Sequence, residues 1–215
     1  MRLLAGIALG FAIPAAAQTI RPDAAAVLDA TPARVTASGR TYFYTDATGC
    51  PAPITACRGK AYVLPGDIVL LGKRRGGLVE AWFANGVRET HGWLPRSALA
   101  AMPAVAPPLA DWRGDWVRDD EAEIHIKPGA ERGMLAFTGE GLWNSHDPAA
   151  VERGSVHVGQ IDTVGALVNG RVTLSDFDGD CTIEARRIGP YLAVADNDGC
   201  GGRGVTFSGV YRRTR

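Results

Sequence analysis

Along most of this chain apolar and polar residues alternate with a period of two, the spacing of a strand that buries one face. Within residues 34–100, strand-like runs fall at 40–44, 61–63, 68–72, 78–83 and 91–94, separated by turns bearing Gly or Pro. Five short runs in so small a span predict a compact barrel. From residue 112 onward the same period predicts strands at 114–118, 123–127, 133–143, 155–164, 171–177, 181–188, 191–195 and 205–212. The intervening turns are well marked. Pro128-Gly129, Asn169-Gly170, Asp178-Gly179, Gly189-Pro190 and Asp198-Gly199 supply the fixed or positive φ that hairpins require. Eight antiparallel strands predict a closed up-and-down barrel or a tight sandwich, because closure removes unpaired edges. No helix is needed in this half, so the expected fold class is all-β.

The segments outside these runs set the expected boundaries. Residues 102–109, MPAVAPPL, hold three prolines, which remove backbone donors and favour extended polyproline geometry, so 101–111 reads as a linker. Residues 18–33 mix Ala, Pro and Asp with one short helical turn, and read as a linker or arm. Ahead of them, Arg2, the apolar run 3–13, Pro14 and Ala15-Ala16-Ala17 form the three parts of a secretory signal peptide, with cleavage expected before Gln18. A helical span takes roughly 20 apolar residues. The run here is shorter and interrupted by Gly6 and Gly10, so the mature chain is expected to carry no membrane span and to be periplasmic or secreted.

The four cysteines form two local pairs, Cys50 with Cys57 and Cys181 with Cys200. In an oxidising compartment disulfides are the expected state, and crossed pairings would staple separate domains together. Zinc is the sharper alternative, but no Cys-x-x-Cys occurs and no His stands at ligand spacing beside a Cys. No metal and no cofactor is expected. Basic and acidic residues number 23 each, a balance that does not favour nucleic acid or anionic lipid.

Three constellations invite a catalytic or ligand-binding reading and fail it on geometry. Ser145-His146-Asp147 has the residue types of a hydrolase triad, yet consecutive side chains on an extended loop point apart. Asp176, Asp178 and Asp180 alternate as in a calcium loop, but Gly179 is two places early and Arg187 stands where a bidentate Glu is required. The run 199–204, GCGGRG, is followed by no helix that would direct its dipole at a phosphate. His91, His125 and His157 stand singly on strands, and a thiol peptidase lacks its nucleophile once both cysteine pairs are oxidised. Catalytic residues are therefore not expected.

Gly66-Asp67, Trp82, Gly86, Thr90, Gly92-Trp93-Leu94-Pro95 and Leu99 together resemble the bacterial SH3-like repeat over residues 34–100. The insert CPAPITAC departs from that pattern and would staple a loop near the usual groove. The resemblance implies a groove for a peptide or a cell-wall stem, lined by Tyr42, Tyr44, Trp82 and Trp93. Trp82 and Trp93 serve equally well as core, whereas Tyr42 and Tyr44, two apart on one strand, share a face.

In the second half, Gly114-x-Trp116 and a basic residue ending the last strand, Arg212 or Arg213, resemble calycin barrels. There the Trp plugs the floor and the basic side chain stacks on it. Trp143, at a strand end, is placed to line or cap the barrel mouth. Residues 189–213 resemble the end of a module in exported bacterial proteins, some with lysozyme-inhibitor-like segments. The ending Ser208-Gly209-Val210-Tyr211 is one residue short of the spacing in such inhibitors, and their second motif is missing.

The expectation is an exported, non-enzymatic envelope-binding protein. Its SH3-like barrel would meet peptidoglycan or an envelope protein, and its calycin-like barrel of about eight strands a lysozyme or a small apolar ligand. A cell-wall hydrolase or its accessory is the enzymatic alternative. An apolar ligand would need an open cavity of roughly 300 Å³ or more inside the second barrel.

Overall fold

The computed structural model describes residues 19–176 and 178–214, and the expected leader lies outside them. Helix α1 (Pro22–Ala25) runs directly into a 3-10 turn over Ala26–Asp29 that buries Val27 and Leu28. Seven strands follow: β1 (Thr31–Val35), β2 (Thr41–Tyr44), β3 (Arg58–Val63), β4 (Ile68–Arg75), β5 (Leu78–Ala84), β6 (Glu89–Pro95) and β7 (Leu99–Ala101). They form one antiparallel sheet in the order β3-β2-β6-β5-β4-β1-β7. Val35 of β1 and Val63 of β3, from opposite sides of that order, share one core with Phe43, Val69, Ala81 and Leu94. The sheet is therefore rolled around its inward side chains. The five expected runs are all strands: 40–44 loses its first residue and the other four are lengthened.

Eight further strands build the second unit: β8 (Gly114–Val117), β9 (Ala122–Pro128), β10 (Met134–Trp143), β11 (His157–Val168), β12 (Arg171–Ser175), β13 (Thr182–Ile188), β14 (Tyr191–Asp196) and β15 (Gly209–Arg213). Each pairs antiparallel with the next and β15 returns to β8, which closes an up-and-down barrel. The molecule is all-β, as the periodicity requires. Inward-pointing Ile124, Ile126, Leu135, Phe137, Leu174, Ile183 and Leu192 fill the barrel with side chains. Both cysteine pairs are disulfides, with S–S distances of 2.00 and 2.07 Å, which fits an oxidising compartment. Among the described residues no helix is long and apolar enough to cross a membrane.

Three expectations are corrected. Residues 19–33 are more than a linker or arm: they supply the buried helical turn and the start of β1, whose Pro32-Ala33 hides it from a periodicity reading. The second half does contain a helix, α2 (Pro148–Glu152), where no helix is expected from the sequence. Asp147 caps it by accepting from the Ala149 N–H at 3.0 Å, with Pro148 in the first turn. At the barrel floor, neither Arg212 nor Arg213 stacks on Trp116. Arg187 of β13 does so, its guanidinium carbon 4.3 Å from the ring centroid. Ile183, Ala185 and Arg187 occupy alternate positions, so the row of β13 side chains that points inward ends on this arginine.

The two units share a third core. Leu28 and Val27 from the helical turn, Leu70, Trp82 and Ala84 from the sheet, and Ile188, Tyr191, Ala193 and Val210 from the barrel form one buried cluster. The outer surfaces of β13, β14 and β15 thus serve as an interface. That is why β14 is buried at every position, on both faces.

Candidate functional site

Residues directly opposite in a ladder project to the same face of a sheet, so strand register decides which aromatic side chains meet. Tyr62 lies opposite Tyr42, Tyr44 opposite Trp93, Trp93 opposite Glu80, and Trp82 opposite His91. The four aromatic residues singled out in the sequence, Tyr42, Tyr44, Trp82 and Trp93, therefore share the outer face of the rolled sheet. They differ in exposure. Trp82 and Trp93 are only 6% and 7% exposed, so they are packed rings and not open groove walls.

At the exposed end of this face the side chains form a ladder. Arg40 sits 4.5 Å above the Tyr62 ring, Tyr62 meets Tyr42 edge-on at 5.8 Å, and Arg58 sits 4.8 Å above Tyr42. Stacking on each ring holds a guanidinium while leaving its N–H edge toward water, where it can receive a planar carboxylate. A shallow groove of about 530 Å³ adjoins the ladder, with Tyr62 in its wall beside Leu64 and Phe83, and Lys60 and Arg88 at its margin. Sequence reading missed Tyr62, Arg40 and Arg58. Their alternation is visible, but only the irregular register of β3 on β2 places them around Tyr42.

At its other end the same face runs under the barrel and opens into a cleft of about 300 Å³. Trp82 and His91 stack there, 4.8 Å apart and 9° from parallel. Glu80, largely buried, turns one oxygen to His91 Nε2 at 3.1 Å and accepts the Lys73 backbone N–H on the other at 3.2 Å. Glu89 reaches across to the barrel and accepts the Val210 N–H at 3.0 Å. Burial pushes its carboxyl up to about 7, against the opposing pull of Arg118 and the Val210 bond. Gly209 makes the approach feasible, since a Cβ there would sit 2.5 Å from Glu89 Oε2.

The barrel's own candidate residues are structural in their contacts. Trp143, 37% exposed, covers Gly204 and tilts over His157 at a ring distance of 5.3 Å. Its ring thereby braces the loop that the Cys181–Cys200 disulfide tethers. Trp116 is fully buried and donates its indole N–H to the Trp112 carbonyl at 2.9 Å. Gly114 lies under Arg213, whose Nε would be 2.6 Å from a Cβ at that position. Burial lowers the Arg187 pKa to about 10, with Asp111 opposing the shift and Arg213 adding to it. Ser145, His146 and Asp147 take three separate partners: Glu121 at 2.9 Å, Asp120 at 3.1 Å and the α2 N-terminus. Asp176 organises its hairpin, accepting the Cys181 N–H at 3.2 Å and, on its carbonyl, the Gly179 N–H at 3.3 Å.

The class of molecule these observations define is a two-unit all-β protein, a rolled antiparallel sheet packed on a closed eight-stranded barrel. No protein-family model, curated protein or solved structure matches the chain.

Proposed function

We propose that this is an exported, non-catalytic protein of the bacterial cell envelope that works by binding. Its tyrosine–arginine face would hold a carboxylate-bearing peptide, such as the peptide stems of peptidoglycan or an acidic segment of an envelope protein. The observation that carries this reading is the pair of half-buried Tyr42 and exposed Tyr62, bracketed by Arg40 and Arg58. Flat rings offer contact area at low entropic cost, and the two guanidinium forks match carboxylate geometry. The groove beside Tyr62 gives an extended peptide a place to lie. Two disulfides, the leader-like composition of residues 1–17 and the resemblance of residues 34–100 to SH3-like repeats support the periplasmic, wall-facing setting.

Co-sedimentation of the mature protein with purified sacculi tests the reading. Wild-type protein is expected in the pellet, and Y42A/Y62A and R40E/R58E proteins in the supernatant with unchanged melting temperatures. Both pairs lie on the outer face of β2, β3 and the turn before β2, where substitution leaves the core intact. Wild-type protein that stays in the supernatant, or variants that pellet equally well, would overturn it.

A further inference from the structure

The floor of the barrel holds a separate space, away from the tyrosine–arginine face. We propose that it binds a small carboxylate on a short aliphatic chain, with Arg187 and Trp112 as its donors. The inference is independent of what the tyrosine–arginine face binds.

Three features carry it. First, a cavity of about 110 Å³ lies between residues 104–107 of the linker, the end of β13 and the Asn169-Gly170 turn. A single water takes roughly 30 Å³, so the space suits an acid of a few carbon atoms. Second, among the described residues only three buried side-chain nitrogen or oxygen atoms lack a hydrogen-bond partner: Nε1 of Trp112, and Nε and Nη1 of Arg187. All three are donors, and both residues line this one cavity. Trp112 is 1% exposed, so water does not serve its indole N–H in place of a partner. Unmet buried donors are unfavourable, and a ligand that brings acceptor oxygens gains bonds without displacing an internal partner. Third, the local charge is positive. Asp111 favours the Arg187 cation but forms no ion pair with it, and Arg213 acts in the opposite sense. Arg186, also in the cavity wall, spends its Nη1 on the Leu28 carbonyl at 2.7 Å. Stacking on Trp116 covers one face of the Arg187 guanidinium and leaves its edge unmet. Rotation in its own plane keeps that stacking while turning N–H groups toward an anion in the cavity. Ala104, Ala106, Pro107 and Ile188 give apolar contacts to the chain behind the carboxylate.

Titration of the full mature chain with sodium propionate at constant ionic strength tests the proposal, read through the indole and arginine Nε–H signals in proton–nitrogen correlation spectra. Propionamide is the neutral control and sodium sulfate the inorganic one. The Trp112 and Arg187 signals are expected to shift along one saturable curve with propionate and to stay in place with propionamide, while sulfate binds more weakly than propionate. Arg187→Gln removes the charge and should weaken propionate binding about tenfold or more. Trp112→Phe keeps a ring and removes the indole N–H, so it should weaken binding several-fold, and it carries the test should Arg187→Gln fail to fold. Absence of a saturable shift with propionate, an equal response to propionamide, sulfate binding as tight as propionate, or unchanged affinity in the folded variant would overturn the assignment.

Discussion

The hydroxyl of Tyr191, on barrel strand β14, donates to the backbone carbonyl of Ile68, the first residue of sheet strand β4. A phenol buried between two sheets needs such a partner, and this one ties the barrel to the sheet through the middle of their shared core. The sheet and barrel are thereby committed to one relative position, which brings Glu89 onto β15 and creates the cleft.

Because the third core belongs to both units, the protein should unfold as one cooperative body. Leu28→Ala removes a fully buried side chain at that junction and should destabilise by about 2–5 kcal/mol, and Tyr191→Phe by about 1 kcal/mol. Hydrogen exchange in graded urea checks this. Amides of β5 and β13 should lose protection together, whereas two separate transitions would show independent domains.

The disulfides close loops with sequence separations of 7 and 19 residues, and chain entropy assigns them roughly 2.5 and 3.3 kcal/mol. Replacing Cys181 and Cys200 together by Ala should therefore lower urea stability more than replacing Cys50 and Cys57. The first replacement also frees the 199–204 loop that packs on Gly159 and Trp143. Peptide mapping before and after reduction should show only the two local links.

Stability should fall as pH rises from about 4.5 to about 7. Glu89 is raised in the folded state, so over that range the unfolded chain ionises while the folded chain holds the proton, which favours unfolding. Below the lower limit both states are protonated, and above the upper limit the penalty is complete, between about 1 and 3 kcal/mol. Arg118 and Asp119 are the charged groups that act on Glu89 most directly. Urea melts of Glu89→Gln across this window should be flat where the wild type declines.

Arg187, not Arg213, supports the barrel floor. Arg187→Ala removes the cation over Trp116 and opens space beneath a fully buried ring, for an expected loss of about 1–3 kcal/mol. Arg213→Ala, at an exposed position, should change stability by less than about 1 kcal/mol. Thermal denaturation of the two variants separates them.

Period-two patterning and turn chemistry made the architecture legible residue by residue. Asn169-Gly170 turns β11 into β12 with φ values of 51° and 78°, the geometry its residue types demand. All eight barrel runs are strands, and both cysteine pairs lie on neighbouring segments that close. The floor arginine was also within reach, since Ile183, Ala185 and Arg187 share one parity. Strand β1 and helix α2 escaped because a Thr-Pro-Ala run and a single capped turn carry too little periodicity to register.

What the chain's own order of residues determined was which side chains alternate, where it turns, and which sulfurs stand close enough to join. Those are local properties, readable wherever the backbone repeats every two positions. Tertiary structure alone decided that Tyr62 meets Tyr42, that Arg40 and Arg58 flank them, and that Glu89 and His91 face a barrel more than a hundred residues away. Strand order and register set those meetings, and they follow from how two hydrophobic surfaces fit each other, a quantity that no single segment contains.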